Sequence, residues 1–176
     1  MASDATTATR ILGIDPGLVV TGYAVLEAAR AGPKILEAGV IRSAEGRDST
    51  ADMARRLRVL YEGIVELFDA WHPTVMVVEQ LYSHYEHPRT AILMGHARGV
   101  YFLAGGQRGI PVLSLPATSV KKTITGSGRA TKEQMQYAIM RELGLDKPPE
   151  PHDVADAVAI ALCHYHALKR PDTLGA

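Results

Sequence analysis

Acidic residues stand in three short segments of this 176-residue chain from which one site could collect them. Asp15 closes Ile11-Leu12-Gly13-Ile14-Asp15-Pro16-Gly17, Glu79 follows Val75-Met76-Val77-Val78, and Asp153 and Asp156 lie three apart in His152-Asp153-Val154-Ala155-Asp156. Four converging carboxylates are too much negative charge to leave unpaired, so a site that gathers them is expected to hold divalent metal. Hard oxygen donors favour Mg2+ or Mn2+ and argue against zinc. The chemistry such a site supports is metal-assisted hydrolysis of a phosphodiester.

The flanking residues say how the acids are delivered. Val75 to Val78 is an unbroken apolar run with β-branched residues, the pattern of a strand buried on both faces of a parallel sheet, and Ile11 to Ile14 reads the same way. If the two strands are neighbours, Asp15 and Glu79 end side by side where open α/β sheets place their ligands. Asp153 and Asp156 precede a helical pattern of Val158, Ala161, Leu162 and Tyr165, so both can point from one face of a helix's first turn. Each segment also has a plainer use. Asp15-Pro16-Gly17 suits a type II turn with glycine at positive φ, Glu79 can be a strand-end charge reaching water, and Asp153 and Asp156 can be acids favoured by a helix N-terminus. None of these explains why acids occur together at two strand ends and a helix start.

The remaining pattern is α/β. Stretches 10–15, 19–28 and 34–42, broken by Pro16-Gly17 and Ala31-Gly32-Pro33, predict an antiparallel meander. A long helix follows, with Met53, Leu57, Leu60, Ile64, Leu67, Phe68 and Trp71 in helical period, Ser49 and Asp52 near its start and Pro73 past its end. Next come a strand over 74–79, a helix over 88–104, a strand over 110–115, a helix over 131–143 stopped by Gly144, and a last helix over 152–168. Pro148-Pro149-Glu150-Pro151 is a stiff connector into that helix.

Several ordered motifs bring a family with them: Ile-Leu-Gly-Ile-Asp-Pro-Gly, Thr21-Gly22-Tyr23, Val-Val-Glu-Gln-Leu-Tyr at 77–82, His-Ala-Arg-Gly at 96–99, Val120-Lys121-Lys122-Thr123 and Asp153-Val154-Ala155-Asp156-Ala157. From about residue 10 to residue 168 the chain resembles the RuvC family of bacterial Holliday junction resolvases. The resemblance implies a ribonuclease H-like fold with a mixed five-stranded sheet flanked by helices, a homodimer, and Mg2+-dependent paired nicking of four-way DNA junctions in recombination and repair, beside a RuvA–RuvB branch-migration complex. Asp15, Glu79, Asp153 and Asp156 are then both catalytic and metal-binding, with Asp15 bridging two ions roughly 4 Å apart. Lys121 falls in the motif that carries an essential lysine, Lys132 aligns with a second, and Tyr82 stands where the family has an aromatic that stacks on an unpaired base. His84, Tyr85 and His87 make the following loop richer in rings than the family pattern, and His152 either nears the metals or caps its helix.

Composition bounds this reading. A chain of this length, 47% hydrophobic, suits a single nuclease domain over 10–170 between short tails at 1–9 and 171–176. One cysteine, Cys163, excludes an internal disulfide and a zinc ligand set, and fits a reducing, cytoplasmic setting. No segment has the ~20 apolar residues of a membrane span. Nineteen basic and nineteen acidic residues cancel, yet from His87 to Lys132 there are Arg89, Arg98, Arg108, Lys121, Lys122, Arg129 and Lys132 and no acid. Of these, Arg89, Lys121, Lys122, Arg129 and Lys132, with Tyr82, are the expected DNA contacts. Thr131 and Gln134 form a capping-box start to the next helix, where Lys132 and the amides of the 125–129 loop could hold a phosphate, although the loop's glycines could equally be plain flexibility. Gly95 and Gly99, with Ala91 on the same stripe, allow close packing on this chain's own sheet or on a second copy. Two rivals remain open: an ATP-binding fold of the actin and sugar-kinase kind, for which the chain is short, and a related nuclease or non-catalytic junction-binding module.

Overall fold

The computed structural model describes residues 8–43, 52–81 and 88–169. In chain order its elements are β1 (Arg10–Asp15), β2 (Val20–Ala29), β3 (Gly32–Arg42), α1 (Met53–Trp71), β4 (Val75–Glu79), α2 (Pro88–Gln107), β5 (Val112–Leu115), α3 (Ala117–Thr125), α4 (Lys132–Leu143) and α5 (His152–Lys169). Tyr82, His84, Tyr85, His87, Ser49, the side chain of Arg89 and most of both tails lie outside the described residues. The strands form one sheet in the order β3-β2-β1-β4-β5, antiparallel through the β1-β2-β3 meander and parallel from β1 to β4 and β4 to β5. This is the mixed five-stranded sheet the sequence predicts.

Strand alternation divides the core in two. Ile11, Ala24, Leu26, Val75 and Val77 face α5, which lies between the sheet and helices α3 and α4. Leu12, Ile14, Val25, Met76 and Val78 face α1 and α2. Side chains of β1 and β4 are buried on both faces, as their unbroken apolar runs require. Most of α5 is buried as well, from Ala157 through Tyr165 without interruption, because it packs on the sheet with one side and on α3 and α4 with the other.

Helix ends follow their cap chemistry. Asp52 accepts from the Arg55 amide at the start of α1, Thr131 and Gln134 complete the expected capping box of α4, and Gly144 ends α4 in the left-handed conformation. The nine-residue α3 is an addition to the sequence-based layout, which left 117–125 unassigned. Its N-cap, Pro116, makes no side-chain hydrogen bond, and its sequence is rich in Thr and Ser, so neither capping nor propensity announces it. Gly126, at φ 81°, ends it.

Candidate active site

Parallel pairing of β1 with β4 aligns Ile14 with Val78. Asp15 and Glu79, one residue further on each strand, therefore leave the sheet side by side and on its α5 face. Two glycines let α5 down onto that point. A Cβ on Gly13 would stand 2.4 Å from the Ala157 carbonyl oxygen, and one on Gly22 would stand 2.0 Å from that of Asp153. Since Gly22 is the cross-strand partner of Asp15, the first turn of α5 sits beside Asp15, bringing Asp153 and Asp156 with it. Glycine here serves close backbone approach.

The charges felt by each carboxyl reflect this gathering. Burial pushes the Asp15 carboxyl from 3.8 to about 7, reinforced by the charges of Glu79, Asp156 and Asp153 and opposed by Lys132. Burial likewise raises Glu79, with Asp156 adding to the rise and Lys121 opposing it. Asp156 is raised by burial and by Asp153, while Lys132, His152 and Lys121 pull it down. Among the described residues no three His, Cys, Asp or Glu side chains stand at metal-binding range, so the four acids approach one another without forming a ready ligand cluster. An all-oxygen donor set held partly buried against its own repulsion fits a hard divalent cation.

The acid-free basic stretch divides by position. Lys121 on α3 and Lys132 at the start of α4 both act on the carboxylates. Lys122 and Arg129 are exposed and are not among the charges acting on Asp15, Glu79 or Asp156. Arg108 is engaged elsewhere, paired through both terminal nitrogens with Asp69. His152 bonds Gln136 of α4 through Nδ1 at 3.2 Å and lowers Asp156, so it lies at the rim between α4 and α5.

Two readings of the loops need correction. Gly17 does not take positive φ, so the turn after Asp15 is not the type II turn its residues suggest; glycine is required there because a Cβ would stand 1.8 Å from the Val20 carbonyl oxygen. The expected amide cradle before α4 is also largely absent. The amides of Gly126, Ser127, Arg129, Ala130 and Thr131 already bond within the α3 end, the loop and the cap, leaving phosphate contact there chiefly to side chains. Sequence reasoning also missed a buried pair beside Asp15, Thr21 and Tyr101, eighty positions apart, whose hydroxyls share a hydrogen bond. Glycine inside a strand was a readable sign of Gly13 and Gly22; nothing local marked Tyr101.

The family model for crossover junction endodeoxyribonuclease RuvC matches residues 11–164. The chain belongs to the RuvC family. It is 50% identical over 167 residues to the crossover junction endodeoxyribonuclease RuvC of Rhodopirellula baltica, covering 94% of this chain and 90% of that protein. To the RuvC of Moorella thermoacetica it is 42% identical over 154 residues, 88% of this chain and 89% of that one. Among solved structures, T. thermophilus RuvC in complex with Holliday junction substrate aligns with a TM-score of 0.83 at 27% identity, over 94% of this chain and 97% of that one. The yeast mitochondrial Holliday junction resolvase Ydc2 shares the fold at a TM-score of 0.66 and 18% identity, over 92% of this chain and 81% of that one. The ribonuclease H-like architecture expected from the RuvC motifs is thereby the observed one, and among the described residues no helix is long and apolar enough to cross a membrane.

Proposed function

We propose that this protein is a Holliday junction resolvase, an endonuclease that makes paired nicks in four-way DNA junctions. The observation that carries the reading is the meeting of Asp15 and Glu79 at adjacent strand ends with Asp153 and Asp156 from α5. These four carboxylates hold divalent metal, Mg2+ with Mn2+ as its substitute, two ions per site. A cation bound there supplies Lewis acidity toward the phosphodiester and its attacking water. The chain's own residues do the rest. Lys121 and Lys132 flank the acids and receive the scissile strand's phosphates, so that DNA is not turned away by the carboxylates. Lys122 and Arg129 hold phosphates further out, Arg89 is a further phosphate contact, and Tyr82, three residues beyond Glu79, stacks on a base unpaired at the junction centre.

Two copies act together. Helix α2 presents Gly95, His96 and Gly99 to solvent between the exposed side chains of Ile92 (61%) and Leu103 (56%), and a Cβ on either glycine would touch nothing among the described residues. That open stripe supports a two-fold dimer, which matches the near two-fold symmetry of a junction and sets one site on each of two opposed strands. The lone cysteine fits a cytoplasmic enzyme, and family membership supports docking with a RuvA–RuvB branch-migration complex.

The test is a gel assay with Mg2+ on a synthetic four-way junction beside a flap, a linear duplex and an RNA–DNA hybrid. Paired cleavage of the junction alone is expected, abolished by EDTA, and slowed strongly by Tyr82→Ala but little by Tyr82→Phe. Equal cutting of linear duplex would make a general nuclease of this fold the better account.

A further inference from the structure

Two side chains on the inner face of α2, Arg98 and Tyr101, reach the two strand ends that carry Asp15 and Glu79. Tyr101 is fully buried, as is Thr21. Thr21 Oγ1 donates to the Gly17 carbonyl at 2.7 Å and accepts from the Gly17 amide at 3.2 Å, while the Tyr101 hydroxyl bonds Thr21 Oγ1 and lies 3.5 Å from the Gly17 carbonyl oxygen. The turn that begins at Asp15 is thus fixed on both its donor and acceptor sides. Arg98, one helical turn earlier, donates through Nε to the Glu79 carbonyl at 3.4 Å and through Nη2 to the Ser114 hydroxyl of β5, with its guanidinium over the Phe102 ring.

We propose that Tyr101, acting through Thr21, and Arg98 are positioning residues that fix the backbone at the two strand ends carrying Asp15 and Glu79, so that both carboxylates can close on one metal ion. Neither touches the reacting groups. Their necessity follows from repulsion: unneutralised carboxylates at neighbouring strand ends push apart, and a backbone free to yield would answer by widening the gap. At the Asp15 end the buried Thr21–Tyr101 bond resists such a shift, because breaking it leaves a buried hydroxyl without a partner; at the Glu79 end the half-buried Arg98 ties the strand end to β5. Groups that orient metal ligands from behind typically govern metal affinity by ~10–100-fold.

The inference rests on the four acids being the metal site, and the test separates the two. Mn2+ alone is titrated into the DNA-free protein and followed by calorimetry and by the paramagnetic resonance of free Mn2+, with circular dichroism and melting in EDTA alongside. Tyr101→Phe and Thr21→Val are expected to weaken Mn2+ binding about ten-fold or more, Thr21→Ser to retain it, and junction cleavage by the first two to recover at high Mg2+. A raised metal requirement with an unchanged maximal rate is not what a purely structural defect produces. Folded Tyr101→Phe and Thr21→Val that bind Mn2+ as the wild type does would overturn the proposal, as would loss of affinity in Thr21→Ser. Should the buried variants fail to fold, Arg98→Lys at a half-buried position carries the same test at the Glu79 end, with weakened Mn2+ binding expected and unchanged binding refuting. Asp15→Asn is the separate control: if it alone loses Mn2+, the acids are the metal site and the positioning role fails; if it too binds normally, the metal site itself has been misassigned.

Discussion

Asp15→Asn makes the metal-free protein more stable, because the chain folds at the expense of ionising a carboxyl it has largely buried among others. A carboxyl whose folded value lies above its unfolded value binds more protons folded than unfolded between the two, so stability falls as pH rises through that window and stays low above it. For Asp15 the window runs from 3.8 to about 7. The corresponding penalty is ~4 kcal/mol at pH 8 and under ~2 kcal/mol at pH 5, so replacing the charge by a neutral isostere relieves far more at pH 8. At a few degrees per kcal/mol for a chain this size, the midpoint in EDTA rises by roughly 10 °C at pH 8 and much less at pH 5. Mg2+ then narrows the gap, since it stabilises only a protein that binds it. Differential scanning fluorimetry at both pH values, with EDTA and with Mg2+, reads all of this. A variant no more stable than wild type in EDTA at pH 8 would refute the claim that Asp15 is held against repulsion and burial.

Three further outcomes are expected. Gly22→Ala, which alters no functional group, lowers junction cleavage by ~100-fold by displacing the first turn of α5; cleavage at the wild-type rate in a folded variant would show that the close approach to Asp153 is dispensable. Lys121→Ala and Lys132→Ala each reduce cleavage and lower the salt slope of junction binding by about one unit for any phosphate neutralised, whereas an unchanged slope in a binding titration would remove that lysine from the phosphates. Leu103→Glu, on the open stripe of α2, yields a folded monomer by light scattering that no longer makes paired nicks, and a persistent dimer would move the interface elsewhere.

Much of the sheet could be read in advance because its central strands carry a strong local signal. Val75 to Val78 and Ile11 to Ile14 are apolar at every position but Gly13, and the acids that close them need only strand pairing to meet. The delivery of Asp153 and Asp156 was also legible, since i, i+3 spacing before an apolar helical run leaves little choice of face. Legibility failed where a partner lies far along the chain or a group is already engaged. Gly17 looked like a turn glycine, but its requirement comes from the carbonyl of Val20. The amides after α3 looked free to hold phosphate, but the hydroxyls of Thr125 and Ser127 had taken two of them. Helix α3 has no side-chain cap to announce it and is held by packing on α4 and α5. Tyr101 carries no local mark, since its bond to Thr21 exists only once α2 has packed against the sheet.

The seating of α5 on Gly13 and Gly22 also determines when the protein can do harm. Asp15 and Glu79 are built early in the chain, but their two companions arrive on the last described helix, so a growing polypeptide holds an incomplete set of these carboxylates until that helix docks. Release of α5 from the sheet would remove half the carboxylates at once. A nuclease arranged in this way is disarmed whenever that helix is undocked, so a chain in which α5 has not yet seated poses little danger to the DNA around it.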